Sequence, residues 1–123
     1  MKSHSLQQEE VLKSRIAISE LFRKGKRFKS YPVQVIWMKV TEKEGGSKVM
    51  FSVPKRYFKL AVDRNRIKRQ LREIYRLEKP NLQEGISGSY HMALLYLSKD
   101  KMEFSEIQSR ANKSFQKILD NNL

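Results

Sequence analysis

Residues 63–76 read DRNRIKRQLREIYR. Ile67, Leu71, Ile74 and Tyr75 recur at helical spacing, so one stripe of the segment is apolar and the rest is basic. Arg64, Arg66, Lys68, Arg69, Arg72 and Arg76 stand against only Asp63 and Glu73. Like charges four residues apart, Arg64 with Lys68, Lys68 with Arg72 and Arg72 with Arg76, each cost about 0.2–0.5 kcal/mol unless something negative lies alongside. A phosphate backbone would compensate all three pairs. Arginine outnumbers lysine here, which suits forked contacts to phosphate oxygens. Asn65 adds an amide that both donates and accepts at a ribose or base edge. The segment reads as an amphipathic helix that packs by its stripe and binds nucleic acid by its face.

The rest of the composition agrees. The chain has 123 residues, about one domain, with a formal net charge of +13. Such an excess makes a polyanion the leading partner class, and nucleic acid is the commonest polyanion. With no cysteine, the chain has no disulfide, thiolate zinc site or cysteine nucleophile, and its two histidines, His4 and His91, are too few for a histidine metal centre. No stretch reaches the roughly 18–20 apolar residues that span a bilayer, and the opening MKSHSLQQEE lacks the apolar run of a signal peptide. A cytoplasmic protein with no membrane partner is expected.

Outward from the basic segment, residues 1–11 read as a flexible polar N-terminal segment and residues 12–123 as a single RNA-binding domain. Ser14 is a natural N-cap for a helix carrying Ile18, Leu21 and Phe22 and stopped by Gly25. YPVQVIWMKV (31–40) and SKVMFSV (47–53), separated by the turn residues EGG (44–46), read as a hairpin, and Pro54 closes its second strand. Lys79-Pro80 should end the basic helix. HMALLYL (91–97) reads as a continuous apolar, central strand. FSEIQSRANKSFQKIL (104–119) reads as an amphipathic helix using Phe104, Ile107, Ala111, Phe115 and Ile118. The order is helix, strand, strand, helix, strand, helix, with room for a further split strand inside residues 31–39 or 48–53.

Hydrolytic chemistry would need a nucleophile with a base, paired carboxylates or a ligand cluster, and none stands at recognisable spacing. Glu9 with Glu10, and Glu42 with Glu44, lie in polar stretches and read as solvated charge. Asp63 reads as a helix-start residue favoured by the dipole. Gly85-Ile86-Ser87-Gly88 has the spacing of a KH-domain glycine loop, but a strand follows where a helix is required, so it reads as a turn. No catalytic residue and no metal ligand is assigned.

Arg64-Asn65-Arg66-Ile67-Lys68-Arg69, followed by Leu71-Arg72-Glu73 and Tyr75-Arg76, closely resembles the RNR signature of the bacterial ribonuclease P protein component. The resemblance extends upstream to Phe51-Ser52-Val53-Pro54-Lys55-Arg56 and to the landmarks Leu12-Lys13, Leu21-Phe22 and Gly25-Lys26. It implies an α+β two-layer sandwich: a mixed four-stranded β-sheet packed with about three helices and a left-handed βαβ crossover, like the second domain of ribosomal protein S5. It also implies an accessory subunit of an endoribonuclease whose RNA partner hydrolyses the phosphodiester, removing the 5′ leader of precursor tRNA. No cofactor is then bound by the protein alone, while the RNA-containing holoenzyme requires Mg2+. Carried over by position, Lys55, Arg56, Arg64, Asn65, Arg66, Lys68, Arg69 and Arg72 would face the catalytic RNA. Ile18, Phe22, Tyr31 and Trp37 would line a leader-binding cleft, where stacked bases contribute about 1–3 kcal/mol each with little sequence preference. The alternative is a ribosomal or other structural RNA-binding protein. A helix-turn-helix DNA regulator fits poorly, because strand runs flank the basic helix, and DNA is not expected as a partner.

Overall fold

The structure is a computed structural model and describes residues 10–41 and 46–121. Three helices and four strands follow in the order α1 (Arg15–Lys24), β1 (Lys26–Ser30), β2 (Val33–Val40), β3 (Lys48–Ser52), α2 (Ala61–Gly85), β4 (Ser89–Tyr96) and α3 (Phe104–Asn121). The sheet order is β1-β2-β4-β3, antiparallel except for the parallel β3–β4 pair, so α2 is the crossover of a β3–α2–β4 unit.

Strand alternation splits the core in two. Val33, Val35 and Trp37 of β2, with Tyr90, Met92, Leu94 and Tyr96 of β4, point to the face covered by α2 and α3. Ile67, Leu71, Ile74, Tyr75 and Leu82 of α2 and Ile107, Ala111, Phe115 and Ile118 of α3 fill that layer. The apolar stripes of the two longer helices are as expected, although Phe104 is only half-buried. Each fully buried aliphatic or aromatic side chain contributes about 1.5–3 kcal/mol, so this layer dominates the stability. Ile36, Ala93 and Leu95 point the other way, where Leu12 and Leu21 complete a smaller core beneath α1.

The α1 boundaries follow the expected chemistry. Ser14 Oγ accepts the Ala17 N–H at 3.2 Å. Gly25 ends the helix through close approach: a Cβ there would sit 2.5 Å from Leu21 O and 2.6 Å from Ile36 Cγ2.

Four expectations are corrected. The 31–40 and 47–53 runs do not form a hairpin. Each pairs with β4 instead, because β4, apolar but for Ser89 and His91, buries both its faces only in the middle of the sheet. The further strand lies not within those runs but at Lys26–Ser30, an exposed edge strand paired with β2 across the cis Tyr31-Pro32 peptide. Helix α2 does not stop at Lys79-Pro80. Pro80 lies inside it on the exposed side, and the helix continues because Leu82 (0% exposed) and, just beyond its end, Ile86 (1%) both enter the core. A proline at such a position costs about 3 kcal/mol, which burial of two large aliphatic side chains offsets.

Finally, not all of the N-terminal segment lies outside the fold. Residues 1–9 are outside the described residues, but Val11 bridges Val49 and Glu10 forms an ion pair with Lys79. The expected turn at 44–46 falls mostly outside the described residues, though Gly46 has a positive φ of 84°.

Candidate nucleic-acid interface

At about 100° per residue, the cations of α2 fan around its solvent side. Arg69 and Asn65 occupy the exposed crest. Lys68 and Arg72 lean toward β3, where the Arg72 guanidinium lies 5.7 Å from the Phe51 ring centroid and Phe51 in turn meets Tyr75 edge-on at 6.1 Å. Arg66 leans the other way, toward the loop before α3, with Asp63 at 3.9 Å from it and 3.3 Å from Lys101. Beneath the helix, Tyr75 and Tyr90 share a buried O–H···O bond of 2.7 Å. Burial pushes the Tyr75 hydroxyl far above its ordinary value and that of Tyr90 up to about 12.

The RNR residues are therefore not equivalent. Arg64 turns back on its own loop, its Nη1 donating to Phe58 O at 2.7 Å and Lys59 O at 2.8 Å. It braces the entry to a helix whose N-cap, Leu60, supplies no side-chain bond. Arg76 is held by Glu73, with Nε donating to Oε1 at 2.9 Å, and that bond holds the Glu73 carboxyl below the ordinary carboxylate range. Lys68, Arg69 and Arg72 have no carboxylate partner among the described residues. Lys55 and Arg56 are exposed in the turn that follows β3, where Arg56 lies 4.9 Å from the centroid of the Tyr57 ring.

A second surface lies across the sheet. Ile18 and Phe22 are half-buried between α1 and the sheet, packed with Met38, Met50 and Leu97 around the smaller core. The register sets Arg27 opposite Ile36 and Lys29 opposite Gln34, so two of the three β1 cations share this face. Arg27 donates to Phe22 O at 2.5 Å and its guanidinium lies 5.9 Å from the Phe22 ring centroid. The result is an apolar floor with a basic rim.

Trp37 does not belong to this cleft. It is 4% exposed and, one residue along from Ile36, faces α2 and α3 on the opposite side of the sheet. Tyr31 is 51% exposed in the β1–β2 turn and donates to Ser98 Oγ at 2.9 Å, placing it at the end of the sheet near Leu97. Arg27, Lys29, Gln34 and Leu97 were not anticipated. Alternation would have found the first two had Lys26–Ser30 been read as a strand.

A layered domain with a basic helix on one face of its sheet and a basic-rimmed apolar cleft on the other defines an RNA-binding protein of the ribonucleoprotein-subunit class. Among the described residues, no three His, Cys, Asp or Glu side chains gather as a metal site, and no helix is long and apolar enough to cross a membrane. The ribonuclease P family profile matches residues 6–119. The ribonuclease P protein component of Porphyromonas gingivalis is 32% identical over 120 residues, covering 94% of this chain and 88% of its own. That of Chlorobaculum tepidum is 33% identical over 105 residues, covering 78% and 68%.

Among solved structures, the Staphylococcus aureus RNase P protein superposes with a TM-score of 0.71 at 21% identity, covering 87% of this chain and 93% of its own. The Thermotoga maritima protein gives 0.70 at 21% identity, covering 89% and 97%. The chain belongs to the ribonuclease P protein family. It is the accessory protein subunit of an endoribonuclease whose catalyst is the RNA, and the ribonuclease P RNA is its partner.

Proposed function

We propose that this protein docks on the catalytic RNA through the crest of α2 and holds the 5′ leader of precursor tRNA in the cleft beneath α1. The observation that carries the reading is the row Lys68, Arg69 and Arg72, which has no carboxylate partner among the described residues, continued by exposed Lys55 and Arg56 at the end of β3. Ile18 and Phe22, rimmed by Arg27 and Lys29, would take unpaired leader bases by apolar contact while the cations neutralise their phosphates. Tyr31 would extend that track at the end of the sheet. Arg64 serves by fixing the loop that presents the helix, and Asn65 would read a ribose or base edge at the crest.

The holoenzyme's Mg2+ would be held chiefly by RNA, and the protein's cations would lower the concentration needed by neutralising phosphates at the interface. The work is done in the cytoplasm. The test is reconstitution with the catalytic RNA on precursor tRNA. Protein alone should leave the substrate intact, and added to the RNA it should lower the magnesium needed for leader removal. Cleavage by protein alone, or no effect on the magnesium requirement, refutes the proposal.

A further inference from the structure

Between the first turns of α2 and the loop before α3 lies a cleft of about 310 Å³ lined by Arg66, Ile67, Gln70, Lys101, Met102 and Glu103. We propose that this cleft accepts one unpaired base of the catalytic RNA, extruded from its own strand, while Arg66 and Lys101 hold the flanking phosphates. The proposal rests on the subunit assignment above and adds a base-recognition pocket to a helix otherwise read as a phosphate-binding face.

The lining separates into a floor, an edge and a mouth. Ile67, 3% exposed, and half-buried Met102 are apolar and packed in the main core, so the floor is rigid. Gln70 makes no side-chain hydrogen bond among the described residues, and its amide can both donate and accept at a base edge. Arg66 and Lys101 have side chains 52% and 54% exposed at the mouth, and both lie within 4.0 Å of Asp63, which fixes their spacing. The Glu103 carbonyl accepts the Glu106 and Ile107 N–H groups at 3.0 and 3.1 Å, so the far wall is anchored by the start of α3.

A phosphate seated inside would meet an apolar floor and Glu103, with the Asp63 carboxylate beside the mouth. A base would bury its face on Ile67 and Met102 and offer its exocyclic amine to a carboxylate. RNA supplies such bases from loops and bulges, where stacking and edge contacts replace duplex pairing. The charge around the mouth, with Asn65 and Arg69 on the adjoining crest, commits the occupant to RNA.

The experiment measures binding of the catalytic RNA over a range of salt, together with chemical probing of the Watson–Crick edges of its unpaired bases. Gln70→Ala and Gln70→Glu should weaken binding about tenfold. In Gln70→Ala the slope of log affinity against log salt should not change, and in both variants one base protected by the wild-type protein should become reactive. Lys101→Ala should instead lower the slope, by less than one unit because Asp63 at 3.3 Å already partly offsets that ammonium, with that base still protected. A thermal melt of each variant checks that the fold is retained.

Wild-type affinity and unchanged protection in both Gln70 variants would overturn the pocket and leave the subunit assignment standing. Failure of the wild-type protein to bind the catalytic RNA would overturn both.

Discussion

Replacing Arg69 by alanine should reduce the salt dependence of catalytic-RNA binding by about one unit in the slope of log affinity against log salt. Arg69 is exposed at the crest and has no carboxylate partner among the described residues, so its charge is available to displace a counterion. From about 50 to about 200 mM salt, one unit of slope is about a fourfold change in affinity, so the wild-type protein should lose about four times more affinity than the variant over that range. Lys68→Ala should behave alike.

Arg76→Ala should change the slope less, because Glu73 already neutralises that guanidinium through two hydrogen bonds. Arg64→Ala should act on the fold, costing about 1 kcal/mol per lost hydrogen bond to Phe58 O and Lys59 O, with the slope little altered. Equilibrium titrations at several salt concentrations, with a thermal melt of each variant, separate the cases. Equal slopes for Arg69→Ala and Arg76→Ala would show that intramolecular pairing does not decide which cations meet the RNA.

Other outcomes test the scaffold. Tyr75→Phe or Tyr90→Phe alone strands one buried hydroxyl and should cost about 1–3 kcal/mol, whereas the double variant should cost less than the sum of the singles in denaturant unfolding. Burial raises the Tyr90 hydroxyl from 10.0 to about 12 in the folded protein. The stability it contributes is complete below about pH 10 and is lost as pH rises through about 12, so an unfolding midpoint followed against pH should fall in that window and fall less for Tyr90→Phe. Gly25→Ala drives a methyl into Leu21 O and Ile36 Cγ2 and should cost about 1–3 kcal/mol of stability in the same measurement, as overpacking does.

The helix stripes were legible in the sequence, and so were the ends of α1, where Ser14 caps and Gly25 stops it; Ile67, Leu71, Ile74 and Tyr75 orient α2, but its end was not legible because Pro80 lies on the exposed side. The sheet was less so. Local turn signals at 44–46 suggested a hairpin, but pairing is decided by burial, and β4 comes late in the chain yet takes the central place. KRFKS hid β1 because an edge strand keeps only Phe28 and Ser30 partly inside and presents cations to solvent.

The same difference explains the site. The charge pattern pointed to the α2 face, but which cations are free depends on Asp63, Glu73 and two loop carbonyls, partners that charge counting cannot rank. Trp37 was misplaced by one step of alternation, since Ile36 beside it faces α1 and Trp37 faces the main core.

The late arrival of β4 bears on how the chain is made. It pairs with both β2 and β3, so until Tyr96 has been made, β3 is not joined to the β1–β2 ladder and α2 lacks the completed sheet it packs on. A nascent chain then displays the arginines of α2 in the crowded, RNA-rich surroundings of the ribosome without the packed stripe that shapes them into a surface. A chain cut short before Ser89 would carry the basic run of α2 without the strand that joins β3 to the rest of the sheet.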